Sequence, residues 1–543
     1  MGVPTGYFLE ETIELGVNSI LARLDAARQH EPYFLVNLRS SPPRAEHASW
    51  DYCDLSGRCV DALALAGQVL GRGWGEAEEA LREFLLARAN PRDGLFYNAE
   101  SPWSSYAADM FCQGRVLLGL VSWYLLTGSS EVEAKIAALI SGLSRIAVQR
   151  ADHCFYPKDV WREGRWLEGG LWNGSAPGYA AQQLIGMVRY YEATGSREAL
   201  ALAGKLARHF AYHSGAIAWD GTFRGHTHSG GILPATLGVL RYALAVGDEE
   251  LAGWCHRVYA HARRHTTAFG WIPDGLGLDP SSTPYARTCE TCALADLVEL
   301  AIKLSQAGLG DHWDDMERFA RNQLLENQIR EVERILPPTV SAEDRVRAML
   351  RGSFDSAALP NALLGDPEGV LEGCCTPAGV RACCLVWDAV MSRDAEGVHV
   401  HLAVSRHTPW ASLVSHEPHR GELRLRAHLP ERYYLRLPEW ADGRQVRLTV
   451  DGQPRAVAWR GRYLDLGVAR EGQTFVVTYP QPSGERVERI VGREYVVGWR
   501  GGTVTSISPA GARYPTYLRP EVGRGYEPPA SAEPPAREAK VRW

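Results

Sequence analysis

Two short stretches, more than eighty residues apart, concentrate the side chains best suited to chemistry: Cys289-Glu290-Thr291-Cys292 and Cys374-Cys375-Thr376-Pro377. Together they offer three or four thiols and a carboxylate. Soft sulfur with one oxygen is a credible donor set for a tetrahedral zinc ion. Thr376 and Pro377 read as the N-cap and first position of a helix running through the apolar stretch Val380 to Met391. That placement sets Cys374 and Cys375 just before a helix N-terminus, where the backbone dipole favours thiolate over thiol. The competing readings are ordinary burial of cysteine and redox use of the CxxC. No thioredoxin-like βαβ pattern surrounds the CxxC. Burial suits Cys383 and Cys384, which fall on an apolar helical run. It suits the other four less well, since they sit in breaks flanked by Gly, Pro and Thr.

The elements that must position these residues form two blocks. From about Phe8 to Met391 helical periodicity dominates, punctuated by one recurring phrase. It occurs at Trp123 to Ser129, Tyr190 to Ser196 and Tyr242 to Asp248: a glycine closes one helix and Ser or Asp caps the next. The glycines are 67 and 52 residues apart, too irregular for a solenoid. Helical hairpins with long insertions fit a closed α/α barrel. The insertions Asp93 to Trp103, Lys158 to Tyr179, Trp219 to Pro234 and Gly270 to Gly277 are expected to line one mouth. After Asp394 the period becomes two, and Val398–Leu402, Leu423–Arg426, Tyr434–Leu437, Val446–Val450, Tyr463–Leu466 and Phe475–Tyr479 read as strands of an antiparallel β-sandwich. The expected fold is thus α+β, an (α/α)6-type helical toroid over 1–393 and a β-sandwich over 394–518. A Pro-rich tail, 519–543, should be loose.

Bulk properties narrow the function classes. In 543 residues, 58 basic and 64 acidic side chains nearly balance with no basic run, which argues against nucleic acid or an anionic membrane as partner. The N-terminus lacks a signal-peptide pattern, and no segment reads as membrane-spanning. Eleven cysteines with two adjacent pairs argue against a disulfide framework and for a cytoplasmic location. A sandwich face could pair two chains as a homodimer.

Glu290-Thr291-Cys292-Ala293 and Cys374-Cys375-Thr376-Pro377 resemble the ETCA and CCPP signatures of the β-L-arabinofuranosidases of glycoside hydrolase family 127. His228 to Pro234 resembles that family's His-containing segment, and Leu435 to Trp440 with Thr449 to Gly452 its first β-domain. The resemblance implies a zinc-dependent retaining glycosidase acting on a terminal β-L-arabinofuranosyl or related sugar of a small glycoside or oligosaccharide. Glu290, Cys292, Cys374 and Cys375 would be the zinc ligands and Cys374 the nucleophile. The family's acid/base Glu, sixteen residues before the metal-binding Glu, falls here on Asp274, with Asp279 a competitor. His228 would contact a sugar hydroxyl, and His226 could join it in the loop. Two sugar-contacting family histidines are matched by Arg115 and Tyr179. Arg115 suggests a carboxylated sugar. Two alternatives stay open: carboxylate catalysis beside a structural zinc, and a non-catalytic carbohydrate-binding protein.

Overall fold

The computed structural model describes residues 9–169, 176–224, 228–279, 281–519 and 536–541. Six helices pack in a closed cycle: α2 (Gly57–Leu70), α4 (Met110–Thr127), α7 (Gln183–Thr194), α9 (Ser229–Val246), α11 (Thr291–Gln306) and α15 (Cys375–Ala389). Each packs on the next, and α15 returns to α2. Outside them lie α1 (Leu9–Ala22) on α15, α3 (Glu76–Leu86) on α2, α5 (Ser130–Ile146) on α4, α8 (Arg197–Arg208) on α7, α10 (Glu249–Arg264) on α9 and α12 (Trp313–Phe319) on α11. A short helix, α6 (Ala176–Ala181), leads into α7; α13 (Val332–Ile335) and α14 (Asp344–Leu350) close a small separate cluster with Val36 and Leu371.

The punctuation read from the sequence is present. Gly128, Gly195 and Gly247 end α4, α7 and α9 in the left-handed conformation, at φ 65°, 74° and 72°. The side chains of Ser129, Ser196 and Asp248 then accept from Val132, Ala199 and Leu251 to cap the next helix. The inner helices are apolar nearly all round because they are covered on both sides. Two of them, Met110–Thr127 and Ser229–Val246, are long and apolar enough to cross a membrane by composition, against the expectation that no segment is; both are mostly buried within the fold.

Helix gives way to strand at Met391, not after Asp394. Met391–Asp394 starts a five-stranded sheet with Gly397–Val400, Arg432–Arg436, Tyr463–Val468 and Trp459–Arg460. Gly397–Val400 and Arg432–Arg436 run parallel, so this sheet is mixed rather than purely antiparallel. A six-stranded antiparallel sheet contains Glu422–Ala427, where Leu423, Leu425 and Ala427 are buried while Arg424 and Arg426 face out. The inward residues of both sheets belong to the same apolar core as the inner helices. Three further strands cover 483–508.

Two smaller expectations change. The proline-rich run Glu527–Pro535 lies outside the described residues, but 536–541 is docked: the Arg537 amide donates to His407 O and the Val541 amide to Gln68 Oε1 of α2. Cys112 is disulfide-bonded, whereas nine cysteines, including both pairs, are free thiols.

Candidate active site

The cavity is built from helix N-termini. It measures about 460 Å³, and each inner helix supplies lining residues from or just before its first turn: Arg58 of α2, Phe111 of α4, Tyr179 ahead of α7, His228 at the start of α9, Glu290 at α11 and Cys374 at α15. The positive ends of six helix dipoles therefore converge on one opening, an environment that favours carboxylate and thiolate donors. Aromatic walls come from Phe34, Trp50, Phe111 and Tyr285.

The two cysteine stretches meet. Glu290 is the N-cap residue of α11 and Cys374 that of α15, neighbours in the cycle, so helix packing alone brings the segments together. The helix begins at Cys375, two residues earlier than Thr376-Pro377 suggested. The donor atoms of Glu290, Cys292, Cys374 and Cys375 all lie within 4.8 Å of one another. Cys292 Sγ is 3.6 Å from Cys375 Sγ; Cys374 Sγ and Cys375 Sγ are 3.6 and 3.7 Å from Glu290 Oε1. A tetrahedron with metal–sulfur bonds of about 2.3 Å has edges of about 3.8 Å. The donor set fits a single divalent ion. Only Cys374 among the three thiols also lines the cavity.

Cys289 is not part of this group. Its buried thiol turns towards the Glu290 carbonyl, 3.9 Å away, and burial pushes it up to about 12. The CxxC is thus not a unit. Cys383 and Cys384 are core, as their apolar surroundings implied.

Around the cluster the charges interlock. Glu290 Oε2, the oxygen turned from the thiols, lies 2.9 Å from His228 Nε2, which is also 2.9 Å from Asp274 Oδ1. His228 Nδ1 and the Tyr179 hydroxyl are 2.7 Å apart. Gly230 permits this approach, because a Cβ there would sit 3.0 Å from both Glu290 Oε2 and the His228 ring. Two insertions are zipped together to aim the pair: His228 bridges Gly275, and the Ser229 amide donates to Asp274 O at 2.8 Å. Although burial opposes it, His228 holds Glu290 down at about 2, whereas burial lifts Asp274 to about 6. Cys292 falls to about 6 against burial, as Cys374 and Cys375 donate to it. Arg58 donates to Cys292 Sγ at 3.5 Å and to Asp54 at 2.6 Å.

Several predicted residues lie elsewhere. Arg115 does not line this cavity; it sits five residues into α4, about 6 Å deeper along the axis than a first-turn residue, and faces a separate small cavity with Asp296 and Arg381. The carboxylated-sugar expectation loses its basis, and the lining instead carries Asp54, Asp366, Glu368 and Glu372 besides Asp274 and Glu290. Asp279 is exposed, tied to Ser281, and off the cavity. His226 lies outside the described residues. Of the insertions, those carrying Tyr179, His228 and Asp274 reach the cavity, while Asp93 to Trp103 does not.

Sequence reasoning missed Glu372, Arg58 and Asp54. Glu372 ends the strand Val370–Glu372, and its Oε2 is 3.9 Å from Cys374 Sγ. No local spacing signals it, because Cys374 lies past the end of that strand, at the N-cap of α15.

Comparison with solved structures gives the same architecture. A GH127 β-L-arabinofuranosidase from Geobacillus stearothermophilus T6 superimposes with a TM-score of 0.62 at 16% identity, covering 91% of this chain and 80% of that one. A GH127 β-arabinofuranosidase, BT3674, gives 0.63 at 15% identity over 92% of this chain and 83% of that one. The chain shares the fold of these two structures. No family model matches the sequence, and no curated protein matches it.

Proposed function

We propose that this protein is a retaining glycoside hydrolase on an (α/α)6 toroid with a β-sandwich, acting on terminal β-L-arabinofuranosyl or a related neutral sugar. Cys374 is the nucleophile, Asp274 the acid/base, and Glu290, Cys292, Cys374 and Cys375 the ligands of one zinc ion. The observation that carries the reading is the donor set at tetrahedral spacing with a single sulfur, that of Cys374, open to the cavity. When bound, the ion supplies the ionised state of the thiols.

The chain's own residues account for the rest. The Cys374 thiolate attacks the anomeric carbon, the glycosidic C–O bond breaks, and Asp274 gives its proton to the departing oxygen. Water then enters, Asp274 takes its proton, the new C–O bond forms and the C–S bond breaks, returning the thiolate. His228, fixed by Tyr179, holds Asp274 and the outer oxygen of Glu290 in place. A neutral sugar suits the lining: among the described residues, its cations Arg58 and His228 are already engaged by acidic partners. A cytoplasmic location suits a site that needs reduced thiols.

A metal analysis and a panel of aryl glycosides test this reading on wild type, Cys374→Ala and Asp274→Asn. The expected result is about one zinc per chain and product released with retained configuration. Inverted product would move catalysis to carboxylates beside a structural zinc. Absence of turnover on every glycoside would leave a sugar-binding protein.

A further inference from the structure

Glu372 has no part in the donor set or in the proton transfers above, yet the fold places it against the attacking sulfur. The strand Val370–Glu372 pairs with Leu35–Asn37, with Glu372 opposite Leu35, and the Glu372 amide is held by Ser356 Oγ at 3.1 Å. Gly373 then turns the chain into α15 beneath Phe34, where a Cβ would lie 2.9 Å from the Phe34 carbonyl oxygen. The tight turn keeps Glu372 and Cys374 on one side, with Glu372 Oε2 3.9 Å from Cys374 Sγ, and both line the cavity.

We infer that Glu372 accepts a hydrogen bond from the sugar hydroxyl on the carbon next to the reacting centre, and so makes that hydroxyl a requirement of the substrate. The inference rests on the hydrolase reading and is argued from distances. In an in-line attack the sulfur stands about 3.2 Å from the reacting carbon, with the leaving oxygen beyond it. A carboxyl oxygen 3.9 Å from the sulfur that also reached the leaving oxygen at about 2.7 Å would lie only about 2.2 Å from that carbon, which is a clash. Oε2 of Glu372 therefore cannot serve the leaving group from this position. It stands beside the attack line, where the neighbouring ring carbon carries its hydroxyl. An acceptor oxygen there strengthens its bond as positive charge develops on the ring.

The test compares wild type, Glu372→Gln and Glu372→Ala on aryl L-arabinofuranosides of graded leaving-group acidity and on their 2-deoxy counterparts. Calorimetry with L-arabinose and 2-deoxy-L-arabinose accompanies it. Glu372→Gln preserves the side-chain shape should the alanine variant fail to fold. Loss of the 2-hydroxyl is expected to cost wild type about 100-fold in kcat/KM, and either variant no more than about threefold, because the partner is already gone. The dependence on leaving group should be the same in all three. A 2-deoxy penalty that persists in the variants overturns the inference. So does a loss that grows with poorer leaving groups and is rescued by azide, which would make Glu372 the acid/base. If wild type binds L-arabinose in preference to its deoxy analogue and Glu372→Ala does not, yet nothing is hydrolysed, the hydrolase reading fails and the role of Glu372 stands. If neither sugar binds and no glycoside is hydrolysed, both fall.

Discussion

The interior of the helical cycle holds two charged regions that differ in how their charges are satisfied. At the mouth, Glu290, three cysteines and Asp274 crowd together with His228 and Arg58 as the cations among them. Further down the axis, Arg381 is bidentate to Glu299 at 2.9–3.1 Å and reaches Asp61 at 2.6 Å, while Arg241 and Arg189 approach the same two carboxylates. At the axis three arginines surround two carboxylates, so every anion there has a cationic partner; the mouth has an excess of anionic donors. A buried anionic surplus is costly unless a cation completes it, so the mouth is built for a guest and the axis for rigidity.

That contrast can be broken in four ways. The largest effect belongs to the mouth: Cys374→Ala should lower kcat by at least about 1,000-fold while thermal unfolding changes little. A variant that keeps turnover removes the nucleophile from the scheme. Next comes the axis, where Arg381→Ala leaves Glu299 and Asp61 only the longer contacts of Arg241 and Arg189 and should cost about 3–5 kcal/mol in denaturant unfolding, with metal content of the folded fraction unchanged. Equal damage to metal binding would show that the two regions are one.

The third is a pH dependence. Arg381 and Arg241 outweigh burial and hold Glu299 down at about 2, against an unfolded value near 4.5. Its stabilising contribution is therefore complete above about pH 4.5 and lost as pH falls from there towards 2. Urea unfolding over that range should show on the order of 2–3 kcal/mol that disappears in Glu299→Gln. A profile identical in the variant would place the acid-sensitive charge elsewhere. Smallest is the effect of Arg115→Gln on specificity: the ratio of activity on neutral and carboxylated glycosides should shift less than about twofold, since Arg115 faces the axis. A larger shift would return Arg115 to the sugar pocket.

Local signals were legible because they are local. Gly128-Ser129, Gly195-Ser196 and Gly247-Asp248 end and restart helices through their own backbone and side-chain hydrogen bonds, whatever lies around them. The alternation in Glu422–Ala427 likewise follows from one face being buried. Depth was not legible. Arg115 and Arg58 both sit on inner helices, but one is a turn below the mouth and the other is on it; nothing in a run of residues reports height against a neighbouring helix. The parallel pairing of Gly397–Val400 escaped for a related reason, since alternation is the same whichever way the neighbour runs.

By itself, then, the amino-acid order determined which side chains could bind a soft divalent ion and where helices stop, since both depend on residue type and near neighbours. Only the tertiary structure decided that Cys289 is left out, that Cys374 alone among the clustered thiols faces the cavity, and that Glu372 stands beside it. Those outcomes depend on closing the helical cycle and on pairing Val370–Glu372 with a strand more than 330 residues earlier in the chain, Leu35–Asn37. Contacts made at that separation leave no mark in the spacing of adjacent residues.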